Sequence, residues 1–154
     1  MKLTDEMIQA AAIKHGIPVA LVRAMIQVES GGNTWAIRFE PGYPYLWPAG
    51  VKAENLTPTE LNQQRFSYGL LQVMGAVARE RGLKGYCTQL CDPEIGLEYG
   101  CQHLAGYYAK YKDWDKAIVS YNAGSPRIGP AGEYVNQGYL DKVKMLWLGK
   151  VVVD

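Results

Sequence analysis

The stretch Pro18-Val19-Ala20-Leu21-Val22-Arg23-Ala24-Met25-Ile26-Gln27-Val28-Glu29-Ser30-Gly31-Gly32 decides how this chain is read. Proline suits the first turn of a helix, where its missing N–H has no partner to lose, and Ser-Gly-Gly ends one. At roughly 100° per residue, Val28, Leu21, Met25, Val22 and Ile26 form one apolar arc. Glu29 falls inside that arc, between Met25 and Val22, one residue before the helix stops. A carboxylate so placed faces the core or a cleft leading into it. Burying it unpaired is costly, so such a residue is usually paired or functional. Desolvation raises its pKa, as a general acid working near neutral pH requires. A frayed terminal residue turned to solvent, or a structural ion pair, are the alternatives.

The punctuation on either side is helical too. Thr4 is placed to cap a first helix, with Leu3 and Ile8 as its hydrophobic staple, and His15-Gly16 ends it. His15 suits a helix C-terminus electrostatically. Thr57-Pro58-Thr59-Glu60 reads as a capping box with proline at the first helical position. A further helix is expected from Gly69 to Arg81. A long one starts at Asp92-Pro93-Glu94, with Leu97, Cys101, Leu104, Tyr108 and Tyr111 at helical spacing. Asp113 precedes a short helix ended by Gly124, and a last helix is expected from about Gly132 to Leu148. The segment 33–53 carries Pro41, Gly42, Pro44, Pro48 and Gly50 and reads as loop or short hairpin. Val151-Val152-Val153 is β-prone but isolated. Neither repeats nor a linker interrupt this pattern, so residues 1–154 form one all-α domain.

Bulk properties exclude several classes. The 154 residues are 48% hydrophobic and 20% charged, a globular composition. Net charge is +1, from 16 Lys+Arg and 15 Asp+Glu, with no basic footprint for nucleic acid. No apolar run approaches the ~20 residues that span a bilayer. The start, Met1-Lys2-Leu3-Thr4-Asp5-Glu6, turns acidic at once and lacks a signal-peptide core, so synthesis in the cytoplasm is expected. Cys87, Cys91 and Cys101-x-His103 fit none of the common zinc spacings, and no metal or cofactor is expected. Buried free thiols, or one disulfide from Cys101 to Cys91 or Cys87, remain open. His103 reads as a packing or surface residue.

Three short motifs follow one another along the helices. Ala24-Met25-Ile26-Gln27-Val28-Glu29-Ser30-Gly31-Gly32-Asn33 resembles the catalytic motif of the soluble lytic transglycosylase family, relatives of goose-type lysozymes. Ser67-Tyr68-Gly69-Leu70-Leu71-Gln72-Val73-Met74 resembles the family's second motif, and Ala117-Ile118-Val119-Ser120-Tyr121-Asn122-Ala123-Gly124 its third. The resemblance covers about residues 18–128 and implies a lysozyme-like helical domain that cleaves peptidoglycan glycan strands. It makes Glu29 the acid/base, with Tyr121 hydrogen-bonded to its carboxylate and Gln72 and Met74 lining sugar subsites. Asn122 and Ser30 are candidate substrate contacts that also suit turn-shaping roles, and Tyr121 has a core reading beside its site one. Where the family usually has Pro and Ser after the Glu-Ser motif, Thr34 and Arg38 stand, so that serine's sugar contact does not carry over.

The family's reaction needs one carboxylic acid, with the sugar's acetamido group in place of a second, and yields 1,6-anhydro products. The hydrolytic alternative, a true lysozyme, wants a second carboxylate. Glu40 is the candidate, and pairing with Arg38 is its structural alternative. A non-catalytic peptidoglycan-binding module is the reading of a different class. The stretch Arg38-Phe39-Glu40-Pro41-Gly42-Tyr43-Pro44-Tyr45-Leu46-Trp47 reads either as an aromatic wall or lid, or as a loop pinned to the core. A small monomer without a signal or wall-targeting module resembles a phage endolysin, which reaches the periplasmic wall once another protein opens the membrane. A bacterial wall-remodelling, virion-associated or secretion-associated enzyme is the alternative.

Overall fold

The computed structural model describes residues 2–149. Its helices are α1 (Asp5–His15), α2 (Val19–Ser30), α3 (Pro58–Gln64), α4 (Gly75–Glu80), α5 (Pro93–Tyr111), α6 (Trp114–Ala123) and α7 (Gln137–Leu148). Four of them start on the residues expected from the sequence. The side chains of Thr4, Thr57, Asp92 and Asp113 each accept an orphan N–H of the first turn. The capping box at Thr57 is only half made. Thr57 accepts the Glu60 N–H at 3.2 Å, but the Glu60 carboxylate turns away to Arg79 and Gln64.

Helix α5 lies at the centre, against α1 and α6, while α2 packs on α1 and α7. Leu21, Met25, Leu70, Leu90, Leu97, Ile118 and Leu140 are fully buried between these elements. A fully buried side chain of this kind contributes about 1.5–3 kcal/mol. Gly100 lets α5 approach the 69–72 segment, since a Cβ there would stand 2.4 Å from Leu71 Cδ1. Cys87, Cys91 and Cys101 are free and buried, and burial pushes the Cys101 thiol up to about 12. Among the described residues no single helix is long and apolar enough to cross a membrane.

A small antiparallel sheet, β1 (Ile37–Phe39), β2 (Phe66–Tyr68) and β3 (Val73–Met74), flanks the helices. It decides one expectation in favour of the loop reading and corrects another. The 33–53 segment supplies one strand but no hairpin of its own, because β1 pairs with β2, placing Arg38 opposite Ser67. The helix expected from Gly69 begins only at Gly75. Gly69 and Gln72 adopt left-handed φ of 74° and 47°, and the Gln72 amide donates to the carbonyls of Ala36 and Gly69. This turn buries Leu70 and Leu71, which outweighs local helix propensity. The last helix also starts late, at Gln137. Gly129, Pro130 and Gly132 lie in a turn closed by the Ile128–Tyr134 bridge, and the Asn136 amide bonds the Val119 carbonyl instead of capping. Val151-Val152-Val153 lies outside the described residues.

Gly69 is the most exacting point of this frame. It combines left-handed φ with a backbone carbonyl, that of Leu90, 2.4 Å from where a Cβ would sit. Gly69→Ala is therefore expected to cost about 2 kcal/mol or more, lowering the melting temperature by more than about 5 °C. A melting curve unchanged within error would contradict this account of the turn.

Candidate active site

Glu29 sits in the last turn of α2, next to a C-terminus fixed from outside the helix. The Ser30 hydroxyl bonds the Leu70 carbonyl at 2.8 Å and the Ile26 carbonyl at 3.2 Å, and it accepts the Gly32 N–H. Ser30 thus ties α2 to the 69–72 turn and does not line the cleft that Glu29 enters. That cleft holds about 750 Å³ and is bordered by Glu29, Arg38, Glu40, Gln72, Met74, Tyr121, Asn122, Tyr139 and Lys142, among others. Five of the residues singled out in the sequence beside Glu29 therefore meet around it: Gln72, Met74, Tyr121, Asn122 and Glu40.

The partner of Glu29 is a correction. Tyr121 does not bond the carboxylate; its phenol donates to the Leu71 carbonyl at 2.5 Å. Tyr139, on α7, donates to Glu29 Oε2 at 2.5 Å instead. No motif in the sequence marks Tyr139; it reaches Glu29 through the packing of α7 on α2. Tyr121 borders the cleft but works on the turn, so two adjacent carbonyls, Leu70 and Leu71, are held from α2 and α6 respectively. Gln72 is similarly committed, accepting from Ser67 Oγ at 2.9 Å while its amide holds the turn. Asn122 Oδ1 accepts from the Asn136 amide at 2.9 Å.

Burial raises the Glu29 carboxyl to about 6, and the Tyr139 hydrogen bond partly opposes that rise by favouring the anion. Glu40 pairs with Arg38 at 3.0 Å at the exposed edge of the cleft. No group of His, Cys, Asp and Glu among the described residues is arranged to hold a metal ion.

Past Tyr43 the cleft continues into a hollow of about 590 Å³ walled by Tyr45, Trp47, Tyr107 and His103. The wall is fixed at its backbone. Buried Gln64 accepts the Trp47 N–H at 2.7 Å and donates to the Trp47 carbonyl at 2.8 Å, and Arg65 holds the Tyr43 carbonyl. Leu46 is buried, yet Tyr45 remains 74% exposed. The two readings of this segment thus combine: a loop pinned to the core presents a wall of rings. His103 is pressed against Tyr107 and Tyr121, with its pKa lowered to about 3 by burial and the nearby Arg81 charge. Since a guanidinium only donates, His103 Nδ1 accepts from Arg81 at 3.2 Å.

A buried acid at a helix end, facing a long groove beside a small sheet, is the geometry expected of a glycan-cleaving domain. The family model described as the transglycosylase SLT domain matches residues 6–142, from α1 into α7. The chain belongs to this family. SLT domains are lytic transglycosylases, and the substrate class of this enzyme is peptidoglycan. The match takes in both Glu29 and Tyr139, so the observed acid–phenol pair lies within the SLT domain.

The acid of this SLT domain leaves a thermodynamic signature. Its folded pKa, about 6, lies above the ordinary 4.5 of an unfolded chain. That contribution to stability is complete below about pH 4.5 and is lost as pH rises through 6. The loss approaches about 2 kcal/mol at pH 7.5. Melting of Glu29→Gln should therefore gain on the wild type as pH rises from 4 to 7.5. A stability difference independent of pH would place the carboxyl in solvent.

Proposed function

We propose that Glu29 is the acid/base of a non-hydrolytic cleavage between N-acetylmuramic acid and N-acetylglucosamine. The observation that carries this reading is that, of the two carboxyls on the cleft, Glu29 has its pKa raised to about 6 beside one neutral hydrogen-bond donor, while Glu40 is paired with Arg38. Protonated Glu29 gives its proton to the glycosidic oxygen as the C1–O bond breaks. The carbonyl oxygen of the 2-acetamido group closes on C1 and takes up the positive charge. The Glu29 carboxylate then removes the proton of the 6-hydroxyl, whose oxygen attacks C1 and reopens the acetamido ring. No water is consumed, and Glu29 ends protonated again.

Tyr139 suits both halves of this cycle, because its phenol stabilises the anion without donating charge. Glu40, engaged with Arg38, supports the one-carboxylate route over water activation. Gln72, Met74, Tyr121 and Asn122 border the sugar path, three of them through groups already holding the turn or α7. The wall of Tyr43, Tyr45 and Trp47 offers stacking faces to the strand beyond the scissile bond.

Mass spectrometry of muropeptides released from purified sacculi tests the chemistry. Wild-type products should end in 1,6-anhydro-N-acetylmuramic acid, one water lighter than hydrolytic ends, and Glu40→Gln should release the same species. Glu29→Gln should fall to about one per cent of wild-type rate or less, the scale of lost proton transfer. Reducing ends from the wild type would establish hydrolysis. Retained activity in the Glu29 variant would remove it from the acid role.

The phenol is tested by pH. Removing a donor to the anion raises the acid's pKa, so Glu29 stays protonated to higher pH. In Tyr139→Phe the alkaline limb of the kcat/KM profile, near pH 6 in the wild type, should move upward. A limb that stays in place or falls excludes Tyr139 as the group that tunes Glu29.

A further inference from the structure

Four charged side chains border the Glu29 cleft: Glu29 itself, Arg38, Glu40 and Lys142. Two of them, Arg38 and Glu40, satisfy each other at 3.0 Å, and Glu29 is held by Tyr139. Lys142 is different. It stands three residues beyond Tyr139 on α7, hence on the same helix face, with its side chain exposed at the cleft. Among the described residues it has neither an ion pair nor a hydrogen bond, while Lys144 on the same helix pairs with Asp115 at 3.2 Å.

A β-1,4 chain of N-acetylated sugars carries no charge for such a cation to meet. In peptidoglycan, negative charge near the sugar belongs to the 3-O-lactyl arm of the muramyl residue. It is the lactyl carboxylate where the stem peptide is missing, and the carboxylates of the stem where it is attached. We propose that Lys142 is a specificity-determining residue, binding a carboxylate borne on the lactyl arm of the muramyl residue at the scissile bond. The inference rests on the glycan-cleaving reading of the site. The cleft then has two kinds of contact: rings for the neutral backbone in the Tyr43–Trp47 arm, and a cation for the substituent next to the acid.

Three substrates on one GlcNAc–MurNAc tetrasaccharide backbone test it. One has the lactyl group capped as its methylamide, one has the free lactyl carboxylate, and one carries an L-Ala–γ-D-Glu stem. The wild type should prefer a carboxylate-bearing substrate over the capped one by about fivefold in kcat/KM, the scale of an exposed charge pair. The preference should reside in KM, weaken with added salt, and fall below about twofold in Lys142→Gln. Preference for the stem substrate alone puts the carboxylate on the peptide, and preference for the free lactyl substrate puts it on the sugar.

Equal rates on all three substrates, or a preference kept intact in Lys142→Gln, would overturn the inference. So would a Lys142→Gln enzyme whose alkaline pH limb moves, since the lysine would then act through Glu29. A wild type that releases nothing from sacculi overturns the functional reading, and this inference with it. Cleavage without discrimination overturns the inference alone.

Discussion

The hydrogen bond from the Tyr139 phenol to Glu29 is the contact around which the site is organised. It reconciles two demands that conflict in most helices. Glu29 lies on the face that Leu21, Val22 and Met25 bury, where an unpaired anion would be expensive. A cationic partner would make the carboxylate comfortable but would hold its pKa low. A phenol supplies one strong donor without charge, so the carboxyl rests near 6 and exists in both protonation states close to neutrality. The packing of α7 on α2 delivers that phenol, and the grip on the 69–72 turn keeps the opposite wall of the cleft in place.

Several polar side chains of this family's motifs are committed to backbone. Ser30, Gln72 and Tyr121 satisfy the turn, and Asn122 is tied to Asn136. This follows from building a cleft wall out of left-handed residues and short strands. Such a wall leaves carbonyls that regular helices would have satisfied, and each needs a donor from elsewhere. The motif residues shape the groove first, and whatever they present to sugar is what remains of their hydrogen-bonding capacity.

Much of this was legible in the sequence because the signals were local. Thr4, Thr57, Asp92 and Asp113 cap helices by contacts within three residues, and the position of Glu29 on its arc follows from helical period alone. What escaped was set by distant partners. The turn at Gly69–Gln72 looks helical in isolation and is held open by Ala36, Ser30 and Tyr121. Strand β1 has no hairpin partner nearby and finds one in residues 66–68. Two tyrosines border Glu29's cleft: Tyr121, which a motif carries, and Tyr139, which none does. Only the packing of α7 decides between them, and packing between remote helices leaves little local trace.

The acid and its phenol lie 110 residues apart, one on α2 and the other on α7. During synthesis the chain therefore carries its carboxyl long before the group that completes the site. A nascent or truncated chain ending before Gln137 has α2 with the face that α7 covers still open to water. Closing of the core and completion of the Glu29–Tyr139 pair are thus one event, because the docking of α7 on α2 does both.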